Sequence, residues 1–95
     1  MSRGLARAVA LTGSDQLVTT GPGAYRGFSL RETSGAAVAT VRVYDGTSAA
    51  GTLLESVSLT ASESAREWYD DGIRCDTGIY IDVVAGAVEG SVRIG

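Results

Sequence analysis

The chain has 95 residues, eleven acidic and eight basic, with a net charge of −3 and no histidine. That length fits one domain, which folding alone hides only roughly 60 to 68% of its unfolded surface, so a modest core invites association with further copies. The acids are scattered among the bases without a basic stripe, which argues against a nucleic-acid partner, and no segment approaches the ~20 apolar residues of a membrane-spanning helix.

Residues 1–13 lack strong periodicity and read as an N-terminal arm or a first edge strand ahead of a domain over residues 14–95. Two arginines precede a short apolar run here, too brief and interrupted for a signal peptide. Residues 16–20 (QLVTT) form a short strand that the sole proline, in Gly21-Pro22-Gly23, then breaks. In residues 25–32 (YRGFSLRE), alternation sets Tyr25, Gly27, Ser29 and Arg31 against Arg26, Phe28, Leu30 and Glu32, with Phe28 and Leu30 as the inward pair. Residues 36–45 (AAVATVRVYD) are the clearest central strand, Ala37, Ala39, Val41 and Val43 facing inward.

After a small-residue loop, residues 52–60 (TLLESVSLT) place Leu53, Val57 and Leu59 on one face. Glu55 interrupts that face, which puts the strand at a sheet edge where a carboxylate reaches water. Residues 66–71 (REWYDD) fit either a strand or one helical turn, and residues 72–75 return to extended chain. The last nineteen residues (TGIYIDVVAGAVEGSVRIG) read as a β-hairpin turning at Ala85-Gly86, pairing Val83 with Val88, Ile81 with Gly90 and Ile79 with Val92. In that register Asp82 lies opposite Glu89, a destabilising like-charge pair unless Arg93 or a neighbouring subunit relieves it. About seven short strands with turn signals every ten residues or so predict an all-β fold, a single antiparallel β-sandwich or jelly-roll-like domain. Four tyrosines, one tryptophan and one phenylalanine leave the core to be filled by Val, Ile, Leu and Ala, which suits a thin sandwich.

The catalytic inventory is short. Without histidine there is no Ser-His-Asp or Cys-His nucleophile system, and without lysine no Schiff base or P-loop lysine. Asp70, Asp71 and Asp76 cluster around Gly72 but match no calcium loop and are also ordinary turn composition, so no metal or cofactor is expected. Glu55, Glu63 and Glu67 raise paired-carboxylate sugar hydrolysis, for which a chain this small offers little cleft. Cys75, the single cysteine, forms no internal disulfide and reads as a buried, inert thiol. All eight bases are arginine and asparagine is also absent, a bias that a GC-rich coding sequence explains. Arg66, Trp68 and Tyr69 stand out as partner contacts, since aromatic residues and arginine dominate interface hot spots, with one aromatic of the pair expected inward and the other outward. Asp82, Glu89 and Arg93 complete the candidate contact set from the outward row of the last segment.

The run VRVYDGTSAAGTLLESVSL from Val41, DGIRC from Asp71 and the closing TGIYIDVVAGAVEGSVRIG resemble a pattern common in small virion proteins of tailed phages. The resemblance spans residues 25–95 but rests on turn and core positions. It implies a non-enzymatic structural protein, made in the host cytoplasm and assembled into the virion. Specifically, it implies a capsid decoration or cement protein bound to the major capsid protein as a homo-oligomer, often a trimer, with a tail or head-to-tail connector component as the alternative. From another class, an Ig-like carbohydrate-binding or adhesion module would use Trp68, Tyr69 and neighbouring acids as a sugar platform.

Overall fold

The computed structural model describes residues 5–95. Eight strands run in chain order: β1 (Arg7–Ala10), β2 (Gln16–Thr20), β3 (Gly23–Glu32), β4 (Ala39–Asp45), β5 (Thr52–Leu59), β6 (Ser64–Cys75), β7 (Gly78–Ala85) and β8 (Val88–Ile94). They form two four-stranded antiparallel sheets, ordered β1-β8-β3-β6 (sheet A) and β2-β7-β4-β5 (sheet B). Only the β4–β5 connection stays within one sheet. Every other connection crosses to the opposite sheet, which is the strand order of an eight-stranded jelly roll. The expected all-β sandwich is therefore the fold, with eight strands in place of about seven.

The crossing connections correct the end of the chain. β7 pairs β2 and β4 in sheet B, while β8 pairs β1 and β3 in sheet A, so the last segment is not a hairpin. Ile79 and Ile81 face Val88, Val92 and Ile94 across the core instead of beside them. Period-two alternation is the same in both arrangements, and only the hydrogen-bonding partner tells them apart. Gly86 makes the sharp crossing at φ +80°, where a Cβ would lie 2.7 Å from the Ala39 Cα.

Residues 7–10, within the expected N-terminal arm, form an edge strand on β8, and residues 1–4 lie outside the described residues. Ala39, Val41 and Val43 are buried as their alternation requires, but Ala37 precedes β4 and is exposed. Phe28 and Leu30 also point inward, and Tyr25, expected on the opposite face, is fully buried with them. The reason is a bulge at Arg26: β3 pairs Tyr25 with Ile94 and then Gly27 with Arg93, so one extra residue shifts the parity of the strand. Gly27 sits at φ +129°, and a Cβ there would run into the Glu67 carbonyl. On β6 the same irregularity is larger, since Ile73 pairs Tyr25 but Trp68 pairs Gly27, and residues 69–72 bow out between them. Arg26 holds this bow by donating from Nη1 to the Asp70 carbonyl at 2.9 Å.

β5 lies at the edge of sheet B as expected, but the Glu55 carboxylate turns inward to two tyrosine hydroxyls instead of out to water. A bulge between the Val43–Glu55 and Tyr44–Leu53 pairs turns Leu54 toward the core and leaves Leu53 outward and 51% exposed, against expectation. Two carboxylates lock the loops at the ends of the sandwich. Glu32, with no exposed surface, accepts hydrogen bonds from the amides of Ser34, Gly35 and Ser62 at 2.8–2.9 Å and from the Ser34 hydroxyl. The Ser34 hydroxyl, followed by the Ser62 amide, holds its carboxyl down at about 2. Asp45 accepts from the amides of Asp76, Thr77 and Gly78 at 2.9–3.3 Å, which tie the β6–β7 turn to the end of β4 and lower its pKa.

Candidate partner-binding face

The outer face of sheet A is built in cross-strand rows by the register. Trp68 on β6, Gly27 on β3, Arg93 on β8 and Ala8 on β1 form one row. Arg66, Ser29, Ser91 and Ala10 form the next, and Ser64, Arg31 and Glu89 a third. Gly27 contributes no side chain, so the space between Trp68 and Arg93 is an open depression of about 400 Å³, lined by Phe28, Ser29, Arg66, Glu67, Trp68 and Arg93.

Trp68 is half exposed, and its indole Nε1 donates to Asp70 Oδ1 at 2.7 Å, which fixes the ring edge. Arg31 and Glu89 are joined at 3.4 Å with both side chains about 60% exposed, a pair worth at most ~1 kcal/mol in water. Arg66 and Arg93 make no ion pair within the described residues. Two uncommitted guanidiniums thus flank one fixed indole, with Ser29 beside Arg66 in its row. A guanidinium binds carboxylate or phosphate oxygens bidentately and stacks on flat groups, and an indole buries apolar area at little entropic cost. This surface fits an acidic, partly apolar protuberance of another macromolecule.

Four of the six candidate contact residues, Arg66, Trp68, Glu89 and Arg93, therefore share one face. Tyr69 does not, because it points between the sheets, and the two aromatics of the expected sugar platform lie on opposite faces of sheet A. Asp82 lies on the outer face of sheet B, opposite Arg42 on β4. Asp82 and Glu89 are thus in different sheets, and each has an arginine opposite it in its own sheet, Arg42 and Arg31. The expected like-charge clash does not occur. Burial, then the nearby Asp15 carboxylate, raises the Asp82 pKa, and Arg42 counters them.

A second polar cluster had only a partial signal in the sequence, the acidic break in the apolar face of β5. The Glu55 carboxylate points inward and accepts from the Tyr25 hydroxyl at 2.7 Å on Oε1 and from the Tyr69 hydroxyl at 2.6 Å on Oε2. The tyrosine rings stand 6.1 Å apart at 51°, so one carboxylate ties β3, β5 and β6 together along the side of the sandwich. Burial, followed by the bond to Glu55, pushes the Tyr25 phenol far above its usual range. The bond to Glu55, followed by burial, pushes Tyr69 up to about 12. Both phenols therefore remain hydrogen-bond donors, and the cluster works as a bridge between strands.

Cys75 is fully buried, and burial raises its thiol pKa, so it is held away from the exposed, electropositive setting that makes a cysteine reactive. Asp76 is engaged by Arg74 Nε at 2.9 Å, and among the described residues no three His, Cys, Asp or Glu side chains gather as a metal-binding group. No helix among the described residues is long and apolar enough to cross a membrane. No protein-family model, curated protein or solved structure matches the chain.

Proposed function

We propose that the chain is a non-enzymatic structural protein of a bacteriophage virion, a capsid decoration protein that docks on the assembled head shell and acts as a homo-oligomer. The observation that carries the docking is the outer face of sheet A, where Arg66 and Arg93, without carboxylate partners among the described residues, flank the half-exposed Trp68. The jelly-roll strand order supports the same reading by analogy, since viral capsid domains use it, although lectin domains do so as well. The assignment to a virion rests on the resemblance carried by residues 25–95. A shell offers many equivalent sites, so a contact face this small gains through avidity what it lacks in area.

Co-sedimentation with pre-formed capsids of the source phage tests the proposal. Wild type binds stoichiometrically at micromolar concentration, and binding weakens as salt is raised. Arg66→Glu combined with Arg93→Glu abolishes it while leaving the folded spectrum intact. Absence of co-sedimentation by wild type overturns the reading, and label found at the tail in electron micrographs moves the protein to the tail or connector role.

A further inference from the structure

We propose that the outer face of sheet B is the surface through which two copies of this chain form a two-fold dimer. This takes the self-association in the preceding reading and gives it a surface and a symmetry. The cross-strand register places Leu17 (β2), Tyr80 (β7), Tyr44 (β4) and Leu53 (β5) in one row across the full width of the sheet. Leu17 and Leu53, at the two ends, are 46% and 51% exposed. Tyr44 is largely covered by its neighbours yet stands outside the core cluster, as do Leu17, Tyr80 and Leu53, so the row faces away from the interior. The two leucines thus leave apolar surface exposed at both ends of a row whose middle is filled by tyrosines, where outward positions of an antiparallel sheet are normally polar.

The adjacent row identifies the occupant. It places Asp82 on β7 directly opposite Arg42 on β4, with Ser56 beyond it on β5. At the other end Asp15, just before β2, accepts the Val83 amide at 2.8 Å. Read across β2, β7, β4 and β5, the first row is Leu-Tyr-Tyr-Leu, the same in either direction, and the second has an acid and a base at the mirrored central positions.

A two-fold axis parallel to the strands, between β7 and β4, turns each row over onto itself. Tyr44 of one copy then lies on Tyr80 of the other, and Leu53 on Leu17. Arg42 meets Asp82 of the second copy, and Asp82 meets its Arg42. Two ion pairs between copies form at once, and Asp15, which lies against Asp82 in its own copy, meets Ser56 of the other. A surface that complements its own image under rotation is what an isologous interface requires. Arg42 is exposed and forms no ion pair within the described residues, so its guanidinium is available to a second chain. Four strands spaced ~4.8 Å apart and about seven residues long present roughly 450 Å² of projected face per copy, the size of a weak, concentration-dependent interface and not of an obligate dimer.

Sedimentation velocity on the full chain, from micromolar to several hundred micromolar, tests this with two charge variants. Arg42→Asp sets acid against acid twice in its homodimer, and Asp82→Arg sets base against base twice, so each variant weakens self-association by about tenfold or more. An equimolar mixture restores the dimer, because Asp at position 42 then meets Arg at position 82 and the unaltered Asp82 meets the unaltered Arg42. That rescue occurs between chains, so a change in the fold of either variant cannot produce it. Circular dichroism of each variant checks that it is folded, and Leu53→Glu, at the edge of the neighbouring apolar row, gives a second loss of dimer that leaves Arg42 and Asp82 unchanged.

A wild type that is monomeric throughout, a trimer unaffected by Leu53→Glu, or a mixture that stays monomeric each overturns the dimer. Dimers that fail to bind capsids remove only the decoration reading, and capsid binding by a chain that is monomeric removes the dimer and the self-association it was built on while leaving the docking in place.

Discussion

Replacing Tyr25 by phenylalanine tests how the sandwich is closed along its β5–β6 side. The substitution keeps the ring but removes the hydroxyl that donates to Glu55 at 2.7 Å from a residue with no exposed surface. Water cannot take the place of that hydroxyl without opening the core. A hydrogen bond to a charged group contributes about 1.5–3 kcal/mol, so Tyr25→Phe costs about 2 kcal/mol. At ~4–8 °C per kcal/mol for a domain of this size, the thermal midpoint falls by about 10 °C. Tyr69→Phe costs less, about 1 kcal/mol, because Tyr69 is only partly buried and water reaches the vacated site. Glu55→Leu strands the buried Tyr25 hydroxyl without its acceptor and costs about 1–3 kcal/mol.

The triple variant, Tyr25→Phe with Glu55→Leu and Tyr69→Phe, removes donors and acceptor together and returns to within about 1 kcal/mol of wild type. Urea unfolding followed by far-ultraviolet circular dichroism measures each value. A Tyr25→Phe cost below ~0.5 kcal/mol, or a triple variant as unstable as the sum of the three single changes, would refute the bridge.

Above pH 10, unfolded tyrosines lose their protons while Tyr25 and Tyr69 keep theirs, Tyr69 up to about 12. The stability these phenols contribute is complete below pH 10 and falls as pH rises, by up to about 1.4 kcal/mol per pH unit for each; urea titrations across that window show the slope, and Tyr25→Phe makes it shallower. At the acid end the sign reverses. Glu32 titrates at about 2 in the folded chain against 4.5 for the free group, and Asp45 is also lowered, so stability present above pH 4.5 drains away as pH falls toward 2. Glu32→Gln flattens that acid limb and lowers stability near neutral pH, read from urea midpoints at both ends of the window. Gly27→Ala combines a left-handed backbone with a collision against the Glu67 carbonyl and costs about 3 kcal/mol or more, seen as a large fall in thermal midpoint.

Where the strands run regularly, the sequence alone was sufficient. Alternation in β4 put Ala39, Val41 and Val43 in the core, the acid inside the apolar face of β5 marked an edge strand, and the Trp68–Tyr69 pair divided into one outward and one inward ring. Arg66, Trp68 and Arg93 stood out by type as candidate contacts, but their meeting in one depression depends on β6 and β8 both pairing β3, which neither segment encodes by itself.

Alternation states which side of a strand is apolar, because burial depends on each side chain's own transfer free energy. It does not state which strand lies alongside at ~4.8 Å and which lies across the core at ~10 Å, because both neighbours satisfy the same apolar face. For that reason the last nineteen residues read as a hairpin although they belong to two sheets, and Asp82 and Glu89 read as opponents although each faces an arginine. Bulges at Arg26 and Leu54 come from the fit of one strand to its partners, and they decided that Tyr25 turns in and Leu53 turns out. The composition and spacing of the chain determined a small all-β sandwich. The pairing of its strands, a property of the assembled backbone, decided where its charges meet and which of its faces remain open to a partner.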